Sequence, residues 1–74
     1  AVNIGDLETR FDSGAEVTVE LLAKANLAKR KGVPVKILAK GEISKPLTVQ
    51  AHAFSGKARD AIEAAGGTCV VVEP

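Results

Sequence analysis

The sequence predicts a small α/β (α+β) domain, with short strands and two main helices in irregular layers. Two segments carry helix-start and helix-stop residues, and short alternating or β-branched segments lie between and around them. The chain has 74 residues, enough for one domain, which we expect to span residues 1–74. Its core should be thin and aliphatic, because Phe11 and Phe54 are its only aromatic residues and Trp, Tyr and Met are absent.

The first third of the chain predicts a short strand at residues 2–4, a helical turn at 6–11 and then a helix. Thr18 is the expected N-cap of that helix, because its hydroxyl can accept a hydrogen bond from a first-turn amide. Asn26 should close it, since Asn tolerates left-handed dihedral angles.

The middle of the chain predicts two strands separated by a loop. Pro34 opens a strand over residues 35–39, and residues 41–46 are too many for a two-residue hairpin turn. Residues 47–53 alternate between apolar and polar, which predicts one half-buried strand. Its inward face would hold Leu47, Val49, Ala51 and Ala53.

A second helix is predicted over residues 56–65, with Ser55 as its N-cap and Gly66 and Gly67 after its last turn. Residues 68–72 are β-branched and apolar, which predicts a buried final strand.

Charge is unevenly distributed along the chain, although the net charge is only +1. Residues 1–23 sum to −4, residues 24–59 to +8 and residues 60–74 to −3. A basic middle between acidic ends predicts one positive face, which is typical of proteins that contact nucleic acid. The alternative is a solvated surface on which the basic residues cluster by chance.

The charges of the second helix are ordered against its dipole. Lys57 and Arg59 come early, whereas Asp60 and Glu63 come late; acids are favoured first and bases last by roughly 0.3–1 kcal/mol each. An anion bound at Ser55 and Lys57 would explain this order, because free amides, dipole and ammonium all attract it. The alternative is that both cations are merely solvated.

Sequence motifs give little support for catalysis. The residues around Gly56 and Lys57 do not form a nucleotide P-loop, because Ala51 and Ala58 stand where that motif needs Gly and Ser or Thr. The carboxylates show no paired arrangement for acid–base work. A nucleophile pair of Cys69 with His52 lacks any supporting motif, and we expect no enzyme activity.

Composition also argues against several other classes of site. One Cys and one His give no metal site, and a single Cys excludes an internal disulfide. No apolar run reaches membrane-spanning length, and the start has no leader pattern. We expect no cofactor, no small-molecule substrate and no membrane contact.

Several separated elements together carry a family resemblance. They are residues 36–43, residues 47–55, Ala58, Ile62 and residues 63–67, with similarities also at residues 2–4 and 16–18. In order and spacing they resemble the bacterial L-fifteen family of large-subunit ribosomal proteins, and the resemblance covers essentially the whole chain.

The resemblance implies assembly into the large ribosomal subunit through ribosomal RNA and neighbouring ribosomal proteins. Family members carry a long basic N-terminal extension, so this chain looks like their globular C-terminal part. It is expected in cytoplasmic ribosomes, with organellar ribosomes as an alternative. Gln50 and Ala53 stand where members often carry Lys or Arg, which weakens the case for RNA contact from that strand.

The resulting hypothesis is an RNA-binding structural domain. The residues expected to contact RNA are Lys29, Arg30, Lys31, Lys36, Lys40, Lys45, His52, Lys57 and Arg59. The competing hypothesis is a non-catalytic protein–protein docking module of a larger complex, using the Ala-rich second helix or the acidic N-terminal third.

Overall fold

The computed structural model describes residues 2–28 and 34–73. The described helices are α1 (Ile4–Arg10), α2 (Val19–Lys24) and α3 (Gly56–Ala64). The described strands are β1 (Val2–Asn3), β2 (Glu16–Val17), β3 (Lys36–Leu38), β4 (Thr48–Ala51), β5 (Ala53–Phe54) and β6 (Thr68–Val71). This confirms the predicted α/β class, in short strands and short helices.

The strands form two sheets, and the chain alternates between them. One sheet has the order β1-β3-β5 and the other β2-β4-β6, so odd strands lie in the first and even strands in the second. Every described pairing is parallel. Each consecutive pair of strands along the chain therefore adds one strand to each sheet, as in a short solenoid. The sequence nevertheless shows no tandem repeat.

The core is aliphatic, as the composition predicts, and draws on both sheets and all three helices. Its members are Val2, Ile4, Leu7, Val17, Leu22, Val35, Ile37, Leu47, Val49, Ala51, Ala58 and Ile62. Both phenylalanines pack against this cluster without being fully buried. The core therefore depends on close contact between small branched side chains, since no large ring fills space at its centre.

The predicted helix caps are confirmed. The Thr18 hydroxyl oxygen accepts a hydrogen bond from the Leu21 N–H at 3.1 Å, and the Ser55 oxygen accepts one from the Ala58 N–H at 3.1 Å. Asn26 follows α2 in the left-handed region, with φ of 59°. These short polar side chains satisfy amides that the first turn of a helix leaves free.

The first helix starts earlier than the sequence predicts. Ile4 belongs to α1 rather than to a strand, and α1 runs for seven residues. Ile4 and Leu7 are both buried, three positions apart, so they occupy one face of a helical turn. Burial of that face outweighs the β preference of Ile4.

The prediction of one strand over residues 47–53 is wrong, because the chain changes sheets at His52. The carbonyl oxygen of Val35 accepts hydrogen bonds from the His52 N–H at 3.0 Å and the Ala53 N–H at 3.1 Å. The Val35 N–H donates to His52 Nδ1 at 2.8 Å. This bend ends β4 and starts β5 in the other sheet, so Ala53 is exposed rather than inward-facing.

The last predicted strand is present but is not buried throughout. It lies at the edge of its sheet, paired with β4. Cys69 is half-buried, whereas Val71 is 57% exposed. The β-branched composition predicts the strand correctly, but composition does not distinguish an edge from a centre.

Replacing the His52 ring should destabilise the fold. In His52→Ala the buried Val35 N–H loses its acceptor, so we expect the free energy of unfolding to fall by about 1–3 kcal/mol. His52→Asn should recover part of the loss, because its carbonyl oxygen can accept the same hydrogen bond. Chemical denaturation measures both; Gln50→Ala, a half-buried β4 position, is the control. Equal losses in the Ala variants at positions 52 and 50 would contradict this role for the ring.

Gly67 should be intolerant of any side chain. A Cβ at this position would lie 2.4 Å from the Leu47 carbonyl oxygen and 3.0 Å from the Ile62 carbonyl oxygen, both backbone atoms that cannot turn aside. We expect Gly67→Ala to lower the free energy of unfolding by about 1–3 kcal/mol. Gly56→Ala is the matched control, since a Cβ there meets nothing within 4 Å. A Gly67→Ala variant as stable as this control would show that β6 can shift freely.

Candidate nucleic-acid interface

Four of the predicted RNA-contacting cations are exposed on the described surface. They are Lys36, Lys40, Lys57 and Arg59. Lys29, Arg30 and Lys31 lie outside the described residues. Lys45 and His52 are partly buried, and both make hydrogen bonds within the fold.

Lys36 lies beside β5 in the first sheet. It is the register partner of Ala53, while its neighbour Ile37 is the partner of Phe54. Adjacent strands are about 4.8 Å apart, and register partners point to the same face of a sheet. Since Ile37 is buried and both Lys36 and Ala53 are exposed, the Lys36 side chain lies on the solvent face next to a small neighbour.

Arg59 approaches the other face of β5. Its guanidinium carbon lies 6.0 Å from the centroid of the Phe54 ring, at the outer limit of a cation–π contact. Phe54 is half-buried and packs against the core, so its ring is a fixed platform. Two cations, Lys36 and Arg59, thus flank the same edge strand. We call Lys36, Ala53, Phe54 and Arg59 the β5 surface.

Lys57 lies at the start of α3, which is tied to the first sheet. The Ser55 N–H donates a hydrogen bond to the Ile37 carbonyl at 2.9 Å, and the Ser55 hydroxyl oxygen accepts one from the Ala58 N–H. Helix geometry leaves the Gly56 and Lys57 amides without intrahelical acceptors, and both residues are exposed. Residues two apart face different sides of a helix, so Lys57 and Arg59 lie on opposite flanks of α3.

Lys40 lies beside α1 rather than beside β5. Its carbonyl oxygen accepts a hydrogen bond from the Gly5 N–H at 3.0 Å. The next residue, Gly41, has φ of +90°, and a Cβ there would come within 2.8 Å of the Gly5 Cα. Only glycine permits this close approach of the loop to the helix.

Lys45 binds the loop between β3 and β4 to the end of α1. Its ammonium donates to the carbonyl oxygens of Glu8, at 2.7 Å, and Phe11, at 3.1 Å, at the C-terminal end of the helix. A cation there complements the helix dipole and satisfies carbonyls that the last turn leaves free. Of the predicted RNA-contacting lysines, this one has a structural role that its place in the sequence did not reveal.

The Glu8 carboxylate completes the same attachment from the helix side. It accepts hydrogen bonds from the Ser44 N–H at 3.0 Å, the Ser44 hydroxyl at 2.8 Å and the Lys45 N–H at 3.1 Å. Bonds from the Ser44 N–H and then its hydroxyl lower the pKa of Glu8 most, and the Lys45 amide and ammonium add to the effect. Glu8 and Glu42 also line a shallow depression between α1, this loop and α3, so the depression does not attract phosphate.

No hydrogen bond joins His52 to Cys69 among the hydrogen bonds of the described residues. His52 Nδ1 accepts a hydrogen bond from the Val35 N–H at 2.8 Å, so this nitrogen is not free to accept a proton from the thiol. Burial raises the pKa of the Cys69 thiol, and the Glu63 charge adds to this, while Arg59 acts in the opposite direction. A reactive cysteine needs a lowered pKa.

Residues 2–28 and 34–73 contain no group of three or more His, Cys, Asp or Glu side chains placed to hold a metal ion. Within the same residues, no helix has the length and apolar character needed to cross a membrane.

Two features of the described residues are not predicted from the sequence. One is the approach of Arg59 to Phe54, for which an aromatic residue just before an N-cap and a cation in the next turn are the available signal. The other is the role of Glu8, because its partners Ser44 and Lys45 are more than thirty residues away. The predicted RNA-contacting cations that the structure describes fall into two places, around β5 and α3 and beside α1.

Fold and surface together define a class: a small parallel α/β domain whose described exposed cations lie on strands, on helices and in the loop after β3. Comparison with known families is more specific. Residues 1–70 match the model of the family described as "Ribosomal proteins 50S-L15, 50S-L18e, 60S-L27A". The chain belongs to this family of ribosomal proteins, as its sequence resemblance indicated.

Relatives of the chain carry the name "Large ribosomal subunit protein uL15". The protein from Thermosipho africanus is 56% identical over 71 residues, covering 96% of this chain and 48% of the relative. The one from Corynebacterium jeikeium is 55% identical over 67 residues, covering 90% and 44%. The one from Fervidobacterium nodosum is 51% identical over 71 residues, covering 96% and 48%. The chain thus spans about half the length of these relatives. All three are bacterial, so they do not support the organellar alternative.

The Glu8 attachment should make stability depend on pH. A lowered pKa in the folded state means that Glu8 stabilises the fold at pH values above its unfolded value, near 4.5, and that this contribution is lost as pH falls through the folded value. We therefore expect the unfolding midpoint of Glu8→Gln to lie below that of the unmodified protein at neutral pH, and the two to converge in acid. Thermal unfolding monitored by circular dichroism across this range measures it.

Glu16→Gln is the control for that experiment, because it removes the same charge from an exposed residue of β2. Its midpoint should follow that of the unmodified protein at each pH. A constant difference between Glu8→Gln and the unmodified protein, with no convergence in acid, would show that the carboxylate charge is not what holds the loop.

Proposed function

We propose that this chain is a structural constituent of the large ribosomal subunit that binds ribosomal RNA through exposed cations and supports subunit assembly in the cytoplasm. Family membership and the names of the bacterial relatives support this proposal. We further propose that residues 1–74 form one domain, corresponding to the C-terminal globular part of a longer ribosomal protein. The half-length match to the relatives is consistent with that assignment.

The observation that carries the proposal is the β5 surface. Lys36 and Arg59 flank an edge strand from its two faces, and neither engages an acidic side chain among the hydrogen bonds of the described residues. The Arg59 guanidinium lies 6.0 Å from the Phe54 ring centroid. A cation–π contact at this distance reduces the side-chain entropy that Arg59 would lose on binding. Its fork of N–H donors matches the oxygen geometry of a phosphate.

The N-terminal end of α3 adds a second phosphate position. Gly56 and Lys57 are exposed there, their amides lack intrahelical acceptors, and the first turn carries no acidic residue. A phosphate at this end would favour the early basic residues that the helix dipole alone disfavours. Such contacts position a protein on RNA, while the shape of the RNA supplies most of the selectivity.

The remaining predicted contacts have unequal support. Lys40 is exposed and stays in the proposed set, as do Lys29, Arg30 and Lys31 on the basis of sequence. Lys45 contributes less, because its ammonium already binds two carbonyl oxygens. His52 has only Nε2 left for an external partner. Neighbouring ribosomal proteins are proposed as further partners, and no small-molecule substrate or catalysed reaction is part of the proposal.

RNA binding should depend on salt in proportion to the phosphates engaged. With a large-subunit ribosomal RNA fragment and the full-length protein, the plot of log affinity against log salt should have a slope of about −0.7 to −0.9 per phosphate contact. Removing one contact, in Lys36→Gln, Lys57→Gln or Arg59→Gln, should make the slope less negative by about 0.7 to 0.9. Fluorescence anisotropy at several salt concentrations measures this.

Lys24→Gln is the charge-matched control, since Lys24 is exposed at the end of α2 and is not a proposed contact. If it changes the slope as much as the three test variants, those residues hold no specific phosphate.

Replacing Lys29, Arg30 and Lys31 together by Gln separates the hypothesis of RNA binding from that of protein docking. RNA affinity should fall if these three residues bind RNA, and it should stay unchanged if the domain is a protein-docking module.

A further inference from the structure

Among residues 2–28 and 34–73, no strand pairs with the outer side of β6. β6 pairs with β4 in register from Thr68 to Val71, and the ladder continues with the Val72 N–H donating to the Ala51 carbonyl at 2.9 Å. The Thr68 N–H likewise donates to the Leu47 carbonyl at 2.9 Å. In a parallel ladder, alternate residues turn their amide and carbonyl groups to the same neighbour. The backbone groups of residues 69 and 71 therefore point away from β4, where no strand within residues 2–28 and 34–73 pairs with them.

This edge differs from the other three edges of the two sheets. β1, β2 and β5 have two residues each, whereas β6 has four. Proteins protect free edges with very short strands, with Lys or Pro in the strand, or with bulges. β6 has the sequence Thr-Cys-Val-Val, contains neither residue and keeps an unbroken register. It also presents Val71, which is 57% exposed.

The charges around this edge favour a basic partner. Residues 60–73 contain Asp60, Glu63 and Glu73 and no Lys or Arg. Glu63 and Glu73 are exposed, Glu73 lies two residues beyond the end of β6, and the Glu63 charge raises the pKa of the Cys69 thiol. Arg59 of α3 acts on the pKa of the same thiol in the opposite direction. The surroundings of the strand are acidic on balance.

We propose that the outer edge of β6 binds an extended, basic segment of a partner protein by strand addition. Backbone groups of residues 69 and 71 would pair with the segment, and its Lys or Arg side chains would lie near Glu63 and Glu73. A second copy of this chain is a poorer occupant, because it would bring acidic residues against acidic residues. This surface uses residues other than the proposed RNA contacts, so either proposal can fail without the other.

The test uses a fluorescent synthetic peptide of alternating lysine and valine, titrated with the full-length protein in the absence of RNA. The same peptide with N-methylated backbone amides keeps its charge and side chains but cannot donate to a strand edge. We expect N-methylation to weaken binding about tenfold or more, which corresponds to one or two lost hydrogen bonds. Equal affinity of the two peptides would mean attraction by charge alone and would overturn the proposal.

Variants of the protein supply an independent readout. Val71→Pro removes one outward N–H without touching the ladder to β4, and Val71→Thr keeps that N–H on a β-branched residue. We expect the Pro variant to lose peptide binding and the Thr variant to retain it, with circular dichroism confirming that both fold. Should the Pro variant not fold, the comparison of the two peptides decides the question by itself.

Two further measurements test the choice of occupant. Glu63→Gln combined with Glu73→Gln should weaken binding of the lysine peptide by about tenfold, and a glutamate–valine peptide should bind more weakly than the lysine–valine peptide. Stronger binding of the glutamate peptide would overturn the inference of a basic partner. Sedimentation of the protein alone should show no association through this edge; a dimer abolished by Val71→Pro would assign the edge to a second copy instead.

Discussion

The fold depends on one local constraint, the three hydrogen bonds between Val35 and the bend at His52. There the chain leaves β4, the centre of one sheet, and enters β5, the edge of the other. The Val35 backbone accepts two amides and donates to the imidazole, so both of its polar groups are satisfied at a buried residue. Because the bend holds both sheets together, it also sets where β5 and α3 lie, and with them the cations that we propose as RNA contacts.

Alternation between two parallel sheets explains how so small a core suffices. Each strand is short, yet each sheet places aliphatic side chains into a cluster shared with all three helices. No described polar or charged residue is buried there. Close backbone approaches at Gly41 and Gly67 bring the loops near enough to cover the cluster, which compensates for the absence of large aromatic rings.

Charged residues in this domain serve two different purposes. Lys45 and Glu8 bind the C-terminal part of α1 to the loop between β3 and β4, with partners more than thirty residues apart in the chain. Lys36, Lys57 and Arg59 instead remain exposed around β5 and α3. The acidic residues Glu63 and Glu73 belong with a different element, because the Glu63 charge acts on Cys69 of β6 and Glu73 lies two residues beyond that strand. A domain with a net charge of +1 therefore carries basic and acidic groups on different elements, which we propose as separate contacts to RNA and to protein.

Local signals in the sequence determined the helix caps at Thr18 and Ser55, the left-handed Asn26 and the α/β class, because caps and turns depend on a few adjacent residues. They also determined the family, which is a matter of order and spacing. Tertiary structure alone decided that the alternating segment divides at His52, that β6 is an edge, and that Lys45 is engaged within the fold. Each of these depends on hydrogen-bond partners distant in sequence, and neither periodicity nor composition contains that information.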